Sequence, residues 1–168
     1  EYNDHLRIVA TIAANNISLL RVFTTEDMVS SGSESDTVKE DVNTLYILDK
    51  NMELTGKITG IAPGETIYSA RFMGDTGYIV TFRNTDPLFT LDLSDPTAPK
   101  ILGELKLPGY SAYLHPIGDG YMVGIGYDGD EENVKWGTVK VSVFDVTDLL
   151  NPKETDTFVI KDAETDVN

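Results

Sequence analysis

With 168 residues, 40% of them hydrophobic and 24% charged, the chain has the composition of one ordinary globular domain with a core of its own. Thirteen basic residues against twenty-eight acidic ones leave a net charge of −15, a field that repels nucleic-acid backbones and anionic membrane surfaces. The absence of cysteine excludes disulfides, thiolate catalysis and zinc–cysteine sites, and no apolar run reaches the ~18 residues of a membrane-spanning helix.

Short runs of alternating apolar and polar residues, separated by turn residues, predict strands throughout, with no sustained helical period. In chain order the runs are LRIVATI (6–12), NTLYILD (43–49), ELTGKIT (53–59), IYSARFM (67–73), GYIVTFR (77–83), PLFTLDL (87–93), KILGELKL (100–107), SAYLHPI (111–117), YMVGIGY (121–127), TVKVSVFDV (138–146) and ETDTFVI (154–160). The chain is all-β. Between the first two runs lies an insertion, 15–42, whose ISLLRVF (17–23) suits an ordered arm and whose SSGSESD (30–36) suits a solvated tip. A second insertion, 128–137, carries the acidic run DGDEEN (128–133), and residues 162–168 form a tail.

Two internal repeats order these strands. LYILDKNMELTGKI (45–58), LFTLDLSDPTAPKILGEL (88–105) and VSVFDVTDLLNPKETDTF (141–158) each run from an apolar strand ending in aspartate, through a polar turn, into an alternating strand. The aspartates are Asp49, Asp92 and Asp145, 43 and 53 residues apart. Asp92 and Asp95, with Ser94, Pro96 and Pro99, read as turn punctuation rather than chemistry. IYSARFMGDTGYIVTF (67–82) likewise aligns with SAYLHPIGDGYMVGIG (111–126) on a shared Gly-Asp hairpin signal. Together the repeats give a four-strand unit of roughly 40 to 50 residues, the period of a β-propeller blade.

The expected fold is a partial β-propeller of about three four-stranded antiparallel blades. Blade I covers 1–60 and lacks its innermost strand, blade II covers 61–108, and blade III covers 109–161. Closed propellers have about four to eight blades, so the chain, which begins at Glu1, is expected to be part of a larger propeller.

The run 67–128 resembles secreted bacterial and archaeal proteins with a C-terminal β-propeller domain distantly related to WD-40 repeats. LFTLDLSDPTAPKILGELKLPGY (88–110) is also similar to the LVIVD-type repeat of cell-surface propellers, with its apolar strand, Asp, Ser-Asp-Pro and later Pro-Gly-Tyr. The resemblance implies a propeller fold and a secreted or envelope-associated setting, and it brings no catalytic residues.

Candidate sites are few. Asp128, Asp130 and Glu132 offer hard oxygens at alternate positions, as calcium requires, but the sixth position is Asn133 rather than Gly and the twelfth Val139 rather than Glu. A solvated acidic hairpin tip is the competing reading. GIGYDG (124–129) fits a dinucleotide fingerprint by letter, yet an acidic loop follows where a helix N-terminus should stand, so it is rejected. With only His5 and His115 present, a multi-histidine metal centre within the chain is excluded.

Counting back from the two Gly-Asp turns puts Arg71 and His115 at equivalent places on innermost strands, as interblade hydrogen-bonding groups or as members of a channel-mouth site. Trp136 reads as a packing anchor. Asn16-Ile17-Ser18 is a glycosylation sequon by pattern alone.

The reading drawn from these features is a non-catalytic binding or scaffold module with a protein or glycan ligand. The alternative is part of an enzyme or calcium-dependent propeller whose site is completed by further blades. Neither nucleic-acid binding nor membrane insertion is expected, and the isolated chain is expected to self-associate through exposed blade faces.

Overall fold

The computed structural model describes residues 4–12, 41–82, 86–129 and 134–160. The expected insertion 15–42 falls almost wholly outside them, and Asp130, Glu132, Asn16 and the whole tail 162–168 lie outside them. Every regular element described is a strand, in three antiparallel sheets. The first holds β1 (Leu6–Ile12), β2 (Val42–Leu48) and β3 (Leu54–Ile61) in that order. The second holds β4 (Thr66–Met73), β5 (Thr76–Phe82), β6 (Asp86–Asp92) and β7 (Lys100–Leu107), and the third β8 (Tyr110–Gly118), β9 (Tyr121–Gly129), β10 (Val134–Asp145) and β11 (Lys153–Ile160). Strands are neighbours in the order in which they occur, so each sheet is a meander. The first strands of the second and third sheets, β4 and β8, also lie beside each other, and Ser69 Oγ donates to the Ser111 carbonyl at 2.8 Å.

The repeats survive at the level of the hydrogen-bond ladder, including its irregularities. Arg71 pairs with Tyr78 and His115 with Val123, each partner three residues beyond its hairpin turn. The turns differ by one residue. Met73 faces Thr76 across Gly74-Asp75, whereas Gly118 faces Tyr121 across Asp119-Gly120. A left-handed φ falls on Gly74 alone in the first turn and on both Asp119 and Gly120 in the second, which gives two different primed turns. A bulge at Ile117 absorbs the difference and brings the two strands back into step. Further bulges recur at Tyr68 and Ala112, one per inner strand. In the outer strands they recur at Thr55, Leu102 and Thr155, always opposite the end of the aspartate-terminated strand.

The second expected insertion, 128–137, falls on the end of the β9–β10 hairpin, partly outside the described residues. β9 extends to Gly129 and β10 begins at Val134, paired with Gly129, so Asp128 lies in a strand. The register slips between Val134 and Val139, where five positions on β10 span two on β9, so the hairpin end is irregular, and 130–133 lie outside the described residues.

Two apolar clusters hold the sheets together. Between the first and second sheets Leu45, Ile47 and Ile61 meet Ile79, Phe89, Leu91 and Leu93. Between the second and third, Tyr78, Val80, Leu88 and Leu107 meet Leu114, Met122, Phe144 and Val146. A bare glycine in the outer strands of the first two sheets lets the neighbouring sheet come close. A Cβ on Gly56 would stand 2.2 Å from the Pro96 carbonyl oxygen, and one on Gly103 would stand 2.5 Å from that of Leu149. Both carbonyls belong to the turn after an aspartate-terminated strand, so the Pro-rich turn seen in the sequence is a latch onto the preceding sheet. Thr90 Oγ1, cross-strand from Gly103, donates to the same Leu149 carbonyl.

Polar groups fasten the first sheet to the second. The buried Asn43 amide donates to the carbonyls of Ile61 at 2.9 Å and Glu65 at 2.8 Å, and its oxygen accepts from Thr11 Oγ1 at 2.6 Å. The link from β3 to β4 is thereby tied down from inside. Arg7 reaches from β1 to the Gly74 carbonyl in the β4–β5 hairpin.

Candidate functional site

The repeated aspartates come first, because their geometry decides whether they are available for chemistry. Asp92 Oδ1 accepts from the Ser94 amide at 3.0 Å and hydroxyl at 2.6 Å, and Asp95 Oδ1 accepts from the Thr97 amide at 2.9 Å and hydroxyl at 2.6 Å. Asp145 repeats the pattern with Thr147, and Asp148 accepts from the Leu150 amide and the Asn151 side chain. Asp49 takes the amides of Asn51 and Glu53. In these local turns each carboxylate is spent on groups two to four positions further along the chain.

The donors hold the five carboxyls below their ordinary value of 3.8. The hydroxyl of Ser94 is the main cause for Asp92, those of Thr97 and Thr147 for Asp95 and Asp145, the Asn151 side chain for Asp148 and the Glu53 amide for Asp49. A lowered carboxyl pKa favours the native state above the unfolded value, and this contribution is lost as pH falls through the lowered value. Acidification from pH 7 first relieves the repulsion of a −15 chain. Stability is therefore expected to hold between pH 7 and about 5 and to fall below about pH 4. Thermal melts across this range check it, and replacing Asp92, Asp95, Asp145 and Asp148 by Asn is expected to flatten the acid limb.

Of the calcium candidates, Asp128 sits half-buried in β9, while Asp130 and Glu132 lie outside the described residues. Among the described residues no three His, Asp or Glu side chains converge as a metal site would require. The backbone of Trp136 belongs to β10.

Arg71 and His115 are both exposed on first strands. Nδ1 of His115 lies 3.0 Å from the Tyr113 hydroxyl, and the two rings stack with centroids 6.0 Å apart. Beside them runs an aromatic series not anticipated from sequence. Tyr68 leans on Phe82 and Tyr110, with centroids at 5.7 and 4.6 Å, and Tyr110 continues to Tyr127 at 5.6 Å. Tyr110 and Tyr127 are buried, whereas Tyr68, pushed out by its bulge, is 43% exposed. Each of these rings stands near the open end of the β4–β5 or β8–β9 hairpin, a recurrence readable in the two aligned segments. Below them a recess between the sheets is lined by Leu107, Pro108, Tyr110, Ser111, Lys140 and Ser142. Lys140 Nζ is held there by the Pro108 carbonyl at 3.1 Å and Glu154 at 2.9 Å.

Meander sheets, joined outer strand to inner strand and stacked face on face, define an arc of a β-propeller. The family model described as the beta propeller domain matches residues 1–168, and the chain belongs to that family. It is 53% identical over 116 residues to an uncharacterised protein of Methanocaldococcus jannaschii, covering 69% of this chain and 18% of that one. It is 50% identical over 131 residues to an uncharacterised protein of Archaeoglobus fulgidus, covering 78% of this chain and 20% of the relative. The chain thus spans about a fifth of the length of the curated relatives it matches.

Proposed function

We propose that the chain is a non-catalytic binding or scaffold module of a secreted or envelope-borne protein, and that its innermost strands carry the contact surface. One observation carries this reading. Tyr68, Arg71 and His115 project exposed from β4 and β8, while the aspartates of the repeat are committed to their own turns. Aromatic rings with fixed backing and a guanidinium are the side chains that most often dominate contacts with protein or glycan surfaces.

The test is chemical-shift mapping of the isotopically labelled chain against soluble oligosaccharides and peptides. Shifts are expected to cluster on β4 and β8, and Tyr68→Ala or Arg71→Ala is expected to weaken binding roughly tenfold. A parallel calorimetric titration with calcium chloride is expected to give no saturable heat at millimolar concentration. Saturable heat, with shifts centred on Asp128, would favour the calcium-dependent alternative instead.

A further inference from the structure

The seam between the second and third sheets departs from the seam before it at one spot. Ile67, Ile79 and Phe89 help to close the first seam. Ladder position makes Ser111, Gly124 and Ser142 their counterparts in the third sheet. Ile67 and Ser111 each precede an inner-strand bulge, and Ile79 pairs with Phe89 as Gly124 pairs with Ser142. Phe89 and Ser142 also stand three residues before their aspartates, Asp92 and Asp145. Lys140, five before Asp145, takes the place of Pro87, five before Asp92. A repeat that gives up this much apolar bulk has to fill the space in another way.

Part of it is filled. The Phe144 ring lies over Gly124, and the Tyr110 carbonyl lies over Gly126. What remains is the recess walled by Leu107, Pro108, Tyr110, Ser111, Lys140 and Ser142, about 10 Å³ of free space and enough for one water molecule. Ser142 is 3% exposed, and among the described residues its hydroxyl has no hydrogen-bond partner. Lys140, 9% exposed, gives one N–H to the Pro108 carbonyl. Its contact with Glu154 is an ion pair without hydrogen-bond geometry, since the buried Oε1 has no hydrogen-bond donor among the described residues. An ammonium group has three hydrogens, so Nζ keeps donors to spare. A buried hydroxyl left without a partner is destabilising, and the phenylalanine of the preceding sheet avoids that penalty.

We propose that this recess is a binding site for one ordered water molecule, which accepts from Lys140 and shares a hydrogen bond with Ser142. Lys140, Ser142 and the Pro108 carbonyl supply the roughly two to four polar partners that a buried water needs. The ligand is neutral, because Glu154 already balances Lys140 and a net charge of −15 opposes a further anion. Lys140 in the wall turns away a cation, and an apolar group would leave Ser142 unsatisfied. The second seam is thus held in part by solvent, where the first has the Phe89 ring.

Magnetic relaxation dispersion of solvent water, which counts long-lived waters, tests the proposal on the chain in solution. Ser142→Val removes the hydroxyl and fills the recess with a methyl group, and the dispersion amplitude is expected to fall by one water. Leu150→Ala, exposed on the β10–β11 turn, is expected to leave the amplitude unchanged. A crystal structure of the unsubstituted chain soaked in sodium bromide gives a reading that needs no variant. One oxygen peak within about 3.2 Å of both Lys140 Nζ and Ser142 Oγ is expected. An empty recess, or equal amplitudes with and without Ser142, overturns the proposal. An anomalous bromide peak between Lys140 and Ser142 overturns it as well, since the site then takes an anion.

Discussion

Gly103→Ala is expected to cost about 3 kcal/mol, far more than one methyl group on a strand usually does. The added carbon would lie 2.5 and 2.9 Å from the carbonyl oxygens of Leu149 and Leu150 and 3.0 Å from Pro152 Cδ. Two of those three neighbours are backbone, which cannot rotate away, so the third sheet must lift from the second. Gly56→Ala meets the Pro96 carbonyl even more closely and is expected to behave alike. Gly60→Ala separates the steric effect from the conformational one. Nothing stands within 4 Å of its Cβ and only the φ of +72° opposes it, so about 1 kcal/mol is expected. Urea denaturation of the three variants checks the order, and equal losses at Gly60 and Gly103 would remove the latch from the account.

Phe144→Ala is the second large effect, expected at about 3–5 kcal/mol. Phe144 is 1% exposed in the cluster between the second and third sheets, and its ring fills the space that Gly124 leaves open, with Cε2 2.7 Å from where a Cβ would be. Small residue and large ring are matched, so truncation opens a cavity with little prospect of collapse. A fall of about 2 M in the urea midpoint is expected. Leu150→Ala, at a site 63% exposed, is expected to stay within about 0.5 kcal/mol.

Most of the strands were legible because alternation and turn residues are local signals, and Asp49, Asp92 and Asp145 mark one step of the repeat. The bulges were not legible, since a bulge answers to how two backbones fit. That matters for Arg71 and His115. Counting from Gly-Asp paired them, yet their turns sit one residue apart, and only the bulge at Ile117 reconciles the two ladders. Gly56 and Gly103 carried a readable hint, a glycine inside a strand where another backbone comes close. What approaches them is the Pro-rich turn one repeat further on, and this no local pattern discloses. The aromatic series was missed for the same reason, because Tyr68 and Tyr110 belong to different sheets. At Asp128 the acidic run gives no sign that β9 extends as far as Gly129, because strand length answers to backbone pairing.

The short links from each outer strand to the next inner strand have a consequence for how the chain folds. Among the described residues the two apolar clusters join consecutive repeats, so stability is approximately a sum of units and nearest-neighbour couplings. Loss of one coupling need not propagate through the others. A sheet can form on the one before it without waiting for the remote end of the chain, which keeps the closure entropy of each step small. Folding of this kind can begin on any one sheet and spread to its neighbours.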